Sequence, residues 1–206
     1  MRILEPRIYL ASQSPRRREL LKQIGVNFEV ILLRQDHRRK IDIDETPLAE
    51  ELPEVYVQRI SREKAIVGWR SLGSRSMPPF PVLAADTTVT LDGKIFGKPE
   101  NAEHASTMLL QFSGREHQVH SAVAIAMNDH VEVVVSTSKV RFAELDEDRI
   151  RRYLLSGEFI DKAGGYAIQG LAGAFIEHLS GSYSGVMGLP LFETVQLLRR
   201  FNCPTP

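Results

Sequence analysis

Three consecutive arginines, Arg16-Arg17-Arg18, follow Ser14-Pro15 at a point where a helix should begin. Serine as N-cap and proline at the first helical position form a start signal. A helix N-terminus carries partial positive charge and unsatisfied N–H donors, so acidic residues belong there. Three cations in that turn lower stability unless an anion rests on the helix end. Phosphate suits both the guanidinium forks and the backbone donors. A solvated basic turn is the alternative reading. Successive helical residues diverge by about 100°, so not all three can face one ligand. Arg16, nearest the helix mouth, is the candidate.

In Ala84-Ala85-Asp86-Thr87-Thr88 a carboxylate closes an apolar strand run. Burying it is unfavourable unless a metal or hydrogen bonds compensate. Asp92-Gly93 signals a two-residue hairpin with Leu91 opposite Lys94. Counting back sets Thr87 opposite Lys98 and Asp86 opposite Pro99, which keeps Asp86 and Lys98 near each other. In a regular ladder they face opposite ways, so a bulge or a frayed strand end must join them. An edge-strand salt bridge is the competing reading. The segment Gly157 to Gly173 adds glycines that permit close backbone approach, with Lys162 and Gln169 supplying a charge and an amide edge. A plain turn fits those residues too. The segment matches neither a Walker A loop nor a dinucleotide fingerprint.

The elements that must position these groups follow from periodicity and turn residues. Strands are expected over Ile8 to Ala11 and Phe28 to Leu33, with a helix between them that buries Leu20, Leu21 and Ile24 and stops at Gly25. Arg34 to Asp44 reads as an exposed polar loop. A helix follows Pro53, with Val57, Ile60, Ala65 and Trp69 inward, and Ser71 to Pro81 is a connection. Beyond the Asp92-Gly93 hairpin come a helix over Asn101 to Phe112 and strands near His117 to Met127 and Val131 to Phe142. The chain then gives a helix over Asp146 to Leu155, a strand over Ala174 to Leu179 and a closing helix over Leu191 to Phe201. This mixture predicts an α/β (mixed α+β) fold with a central mixed sheet flanked by helices, in one domain over residues 1–206.

Composition excludes several classes. The 206 residues are 43% hydrophobic, and 26 Lys plus Arg balance 26 Asp plus Glu. With no basic excess, a general nucleic-acid binder is disfavoured; local clusters suit a small anion instead. Cys203 is the single cysteine, which rules out an intrachain disulfide or a cysteine-rich metal site. Met1 to Leu10 lacks an apolar signal region, and no run nears the roughly 18 apolar residues of a membrane helix. The expectation is a cytoplasmic protein with no membrane contact. The six histidines show no convincing metal spacing; His117 and His120 fall on opposite faces of one strand, as structural or exposed residues. No Gly-x-Ser-x-Gly elbow is present, so a serine hydrolase is disfavoured.

Taken in order, eight segments resemble the Maf family of nucleotide pyrophosphatases from Tyr9 to about Phe201. They are Leu10-Ala11-Ser12-Gln13-Ser14-Pro15-Arg16-Arg17, Ile43-Asp44-Glu45, Glu63-Lys64-Ala65, Ala85-Asp86-Thr87, Gly97-Lys98-Pro99, Asp161-Lys162-Ala163-Gly164, Ile168-Gln169-Gly170 and Gly188-Leu189-Pro190-Leu191. The resemblance implies a fold similar to inosine-triphosphate pyrophosphatases, with two lobes around a nucleotide cleft, and a homodimer. Arg16, Thr87 and Gln169 side with the branch similar to dTTP/UTP pyrophosphatases; the methylated-guanosine branch has Trp, Gln and Glu there. Gln169 can offer donor and acceptor to a pyrimidine edge, and mismatched buried hydrogen bonds discriminate strongly. Gln13 departs from the smaller residue usual in the family, and Arg34 to Lys40 looks like an insertion.

On this resemblance the expected activity is hydrolysis of dTTP and UTP to monophosphate and pyrophosphate, removing excess or non-canonical nucleotides. Asp86 is the expected catalytic residue, orienting or deprotonating water. Asp86 and Glu45 are expected to bind a divalent metal, Mg²⁺ or Mn²⁺. Arg16, Lys64, Lys98 and Lys162 would hold phosphates, with Ser12, Thr87 and Gln169 completing the substrate set. A non-catalytic nucleotide- or protein-binding module and a phosphatase releasing inorganic phosphate are the competing classes.

Overall fold

The computed structural model describes residues 8–33 and 43–205. The basic stretch Arg34 to Lys40 lies outside the described residues. The chain runs β1 (Ile8–Leu10), α1 (Pro15–Gln23), β2 (Phe28–Val30), α2 (Pro53–Ser74), β3 (Val82–Leu91), β4 (Lys94–Phe96) and α3 (Ala102–Phe112). It continues with β5 (Glu116–Met127), β6 (His130–Phe142), α4 (Glu147–Leu155), β7 (Ile176–Ser180), α5 (Tyr183–Met187) and α6 (Leu191–Arg200). The sheet is mixed, in the order β2-β1-β3-β5-β6-β7, with β4 beside β3. β1 is parallel to β2 and β3, while β3, β5, β6 and β7 pair antiparallel. The expected α/β class holds.

Side-chain alternation along β3 decides what each face packs. Val82 and Ala84 face α2 with Ala124 and Ala126 of β5, against Ala65 and Leu72. These alanines let the helix lie close, and Gly68 brings it closer. A Cβ there would stand 2.8 Å from a Val82 methyl. On the other face Leu83 and Ala85 pack with Leu20 and Leu21 of α1 and Leu197 and Leu198 of α6. Farther along that face, Val89 and Leu91 join α3 and α4 through Met108, Phe112, Ile150 and Tyr153. Thr87 falls between the two clusters.

Several boundaries differ from expectation. α2 runs on through Ser74 because Leu72 is buried under the sheet, and the connection shortens to the segment before Val82. β2 ends at Val30, although the Ile31 N–H still donates to the Leu10 carbonyl. α5 lies in a serine- and glycine-rich stretch that carries no helical periodicity, capped by the Ser182 hydroxyl accepting from the Gly185 N–H. Asn101 and Asp146 cap α3 and α4 through their side chains.

His117 and His120 are both buried. The His117 ring stacks on Phe112 at 4.5 Å, meets the Phe142 edge at 5.0 Å, and shares a 2.8 Å hydrogen bond with the Tyr166 hydroxyl. Burial lowers its pKa to about 3, against 6.5 for a free imidazole. Between those values the unfolded chain takes up a proton that the folded chain refuses. Stability therefore rises with pH through this window and levels off above it. Burial also lowers the pKa of His120, against the pull of Glu54, with the same sign. Going from pH 7 to pH 5 should remove about 2 kcal/mol of unfolding free energy through His117. Urea titrations at both pH values check this; a His117→Phe variant that kept the full slope would refute the assignment.

Candidate active site

β3 has two edges, and one of them is split. β5 covers the first edge from Val82 to Thr90. On the second, β1 ends with Leu10 opposite Leu83, and β4 resumes with Phe96 opposite Val89. Among the described residues no strand covers that edge between Leu83 and Val89, and a cleft of about 680 Å³ opens there. Asp86 points to the α2 side and Thr87 to the α1 side, yet through the open edge both line the same cleft.

On the α2 side, Lys64 places its ammonium 2.8 Å from both Asp86 Oδ1 and Glu45 Oε1. Asp86 is 8% exposed, so this contact supplies the compensation that burial of a carboxylate requires. Glu45 is reached by the segment before α2, where the Tyr56 hydroxyl donates to its carbonyl at 3.0 Å.

On the α1 side, Ser14 starts the helix without a side-chain cap and no acidic residue occupies the first turn. Arg17, and not Arg16 as the helix geometry suggests, is the most constrained of the three arginines. Its Nε donates to the Gly188 carbonyl at 2.8 Å, and its two Nη atoms to Ser12 Oγ and Thr87 Oγ1, each at 3.4 Å. Ser121 spends its one proton on the Gly185 carbonyl at 2.7 Å. The 2.9 Å contact of its oxygen with Thr87 therefore has Thr87 as donor. A directed chain results, from Arg17 through Thr87 and Ser121 to Gly185. Three of five guanidinium N–H groups are used in these bonds, and one on each Nη remains to meet an anion. Burial lowers the pKa of Arg17, opposed by the Asp86 charge. Arg16 also lines the cleft; its Nε is buried with no hydrogen-bond partner among the described residues, and burial lowers its pKa against the Glu158 charge. Arg18 turns back to the Gln13 carbonyl.

The third wall brings Lys98 and Lys162. Here the hairpin count fails. The β3–β4 ladder ends at Phe96, and Asp86 pairs with Ala122 of β5, not with Pro99. Gly97 instead accepts a 2.9 Å hydrogen bond from Gly164 N–H, which ties the Lys98 segment to the Asp161–Lys162 turn. Gly164 has φ 69° and lies where a Cβ would press on Val89 at 3.0 Å, so glycine serves both backbone and packing. Lys98 lies 3.9 Å from Asp161. Lys162 donates to the Ile160 carbonyl, and burial, then the Arg16 charge, lowers its pKa.

Ser12, Arg16, Glu45, Lys64, Asp86, Thr87, Lys98, Lys162 and Gln169 all line this one cleft, joined by Arg17 and Glu158. Among the described residues no group of three or more His, Cys, Asp and Glu could hold a metal. The Asp86 and Glu45 oxygens still fit a hard cation of the Mg²⁺ kind, which takes one or two carboxylates and completes its shell with phosphate oxygens and water.

Residues 7–201 match the family model described as Maf-like protein. The chain belongs to the Maf family. Proteins similar to this Maf chain include the dTTP/UTP pyrophosphatase of Nitrosospira multiformis, 56% identical over 96% of this chain and 96% of that one. Those of Nitrosomonas europaea (54%, covering 93% and 92%) and Aromatoleum aromaticum (53%, covering 99% and 100%) carry the same name. The structure of the Staphylococcus aureus Ham1 protein matches at 18% identity and TM-score 0.43, over 67% of this chain and 72% of that chain.

Proposed function

We propose that this Maf chain hydrolyses dTTP and UTP to the monophosphate and pyrophosphate. The reading rests on relatives of that name along nearly the whole chain, and on one observation above others: Lys64 bound to both Asp86 and Glu45 at the split edge of β3. A triphosphate brings about four negative charges. Arg16 and Arg17 at the head of α1, with Lys98 and Lys162 opposite, neutralise them and hold the chain of phosphates. Asp86 orients the attacking water and takes its proton, and attack falls on the α-phosphorus. The same cations then stabilise charge on the departing pyrophosphate. Asp86 and Glu45 are the residues that would hold Mg²⁺ or Mn²⁺, which when bound supplies charge neutralisation and Lewis acidity at the phosphates. Gln169 reads the base. The Thr87 hydroxyl, already committed to Ser121, acts by fixing Arg17.

We extend the family resemblance to a homodimer and to the cytoplasm, readable by light scattering and cell fractionation. No helix among the described residues is long and apolar enough to cross a membrane. The decisive test is a product assay with dTTP, UTP and purine triphosphates. Monophosphate and pyrophosphate should appear in equal amounts from the pyrimidine substrates, stop in EDTA, and return with Mg²⁺ or Mn²⁺. Release of inorganic phosphate, or nucleotide binding without turnover, would instead favour the phosphatase or the binding module.

A further inference from the structure

We infer that Glu158 is a positioning residue for base selection, clamping the backbone that carries Gln169 to the wall of the cleft. The inference rests on the reading above, in which Gln169 addresses the base. Glu158 follows α4 and lines the cleft together with Gln169, Gly170 and Arg16. Its Oε2 accepts from Leu171 N–H at 2.8 Å and its Oε1 from Ala172 N–H at 3.2 Å. Both oxygens of one carboxylate thus bind the turn just beyond Gln169, and such charge-assisted pairs are stronger than neutral ones.

Gly170 makes this approach possible. Its φ of −110° is open to any residue, so the backbone does not demand glycine. Space does, because a Cβ at position 170 would fall inside the Glu158 carboxylate. The glycine after Gln169 is explained by the clamp. Glu158 is also the acidic group that most favours the charge of Arg16, which lines the same cleft at the head of α1. One carboxylate thereby relates the base-reading turn to the phosphate-facing helix end.

Selection by an amide edge needs that edge held in place, because a mobile amide can re-pair with the wrong base. Loosening the clamp should therefore reduce discrimination more than it reduces chemistry at Asp86, which is fixed by α2 and β3. The experiment compares kcat/KM for dTTP with that for dGTP in the full chain, its Glu158→Gln and Gly170→Ala variants, and each combined with Gln169→Ala. Glutamine keeps shape but turns an N–H₂ toward one of the two N–H donors. Gly170→Ala displaces the carboxylate without removing it, and carries the test if Glu158→Gln does not fold.

Each single variant should lower the dTTP to dGTP preference by ~10-fold, with a smaller fall in kcat on dTTP. In the Gln169→Ala background the same changes should lower the preference no further, a non-additivity that general loss of stability does not produce. A preference that stays at the parent value in folded variants, or losses that add in full, would overturn the inference. A parent protein without preference would instead fail the reading of Gln169 itself, which separates the two outcomes.

Discussion

Replacing Asp86 by asparagine is expected to lower kcat for dTTP by about 10³-fold while leaving the fold intact. Asparagine has the shape of aspartate and keeps an oxygen for the Lys64 ammonium, which Asp86 meets at 2.8 Å. Lys64 also retains Glu45 at 2.8 Å, so the variant does not strand a buried cation. The stability loss should stay near 1 kcal/mol, the scale of one weakened hydrogen bond, not the larger penalty of an orphaned charge. What disappears is the negative charge at the open edge of β3. Without it the side chain cannot take a proton from water and is a poor partner for a divalent cation. Thermal melting read beside pyrophosphate release separates the two effects. A variant within tenfold of the parent would remove Asp86 from the centre of the reaction.

Much of this site was legible in the residues, for a physical reason. A carboxylate closing an apolar run and arginines on a helix N-terminus are both unfavourable alone, and their partners come from distant points of the chain, Lys64 for Asp86 and Thr87 and Gly188 for Arg17. The strand and helix pattern that positions them followed from ordinary alternation and capping. Three things were not legible. The hairpin register was right at Leu91 and Lys94 but wrong beyond Phe96, because β4 leaves the sheet and Gly97 bonds to Gly164 instead. That departure creates the split edge, and counting along a regular ladder conceals it. Glu158 looks like any solvated acid in the sequence; the nearby signal was Gly170, whose lack of a side chain has meaning only once the carboxylate is seen against it. Divergence of neighbouring helical residues points to Arg16 and away from Arg17. A flat ligand surface would meet only one of them, but the cleft wraps the helix end and takes in both Arg16 and Arg17.

Arg17 carries the second large expectation. Arg17→Lys keeps the charge and should still lower kcat/KM for dTTP by about 10²-fold, through both a higher KM and a lower kcat. Lysine offers one compact ammonium where the guanidinium now spans Gly188, Ser12 and Thr87. It cannot reach all three acceptors and also present further N–H groups to a phosphate. Released from Arg17, Thr87 keeps Ser121 as its acceptor, and the Gly188 carbonyl loses its 2.8 Å donor. The turn between α5 and α6 should then loosen, which hydrogen exchange at Gly188 and Leu189 would register. If the site needed only positive charge, lysine would restore most activity relative to Arg17→Ala. If it needs an oriented fork, lysine and alanine should lie close together on dTTP turnover while differing in their dependence on salt, since only lysine still attracts the polyphosphate from a distance. Near-parent turnover in Arg17→Lys would show that the hydrogen-bond chain from Arg17 to Gly185 serves the fold alone.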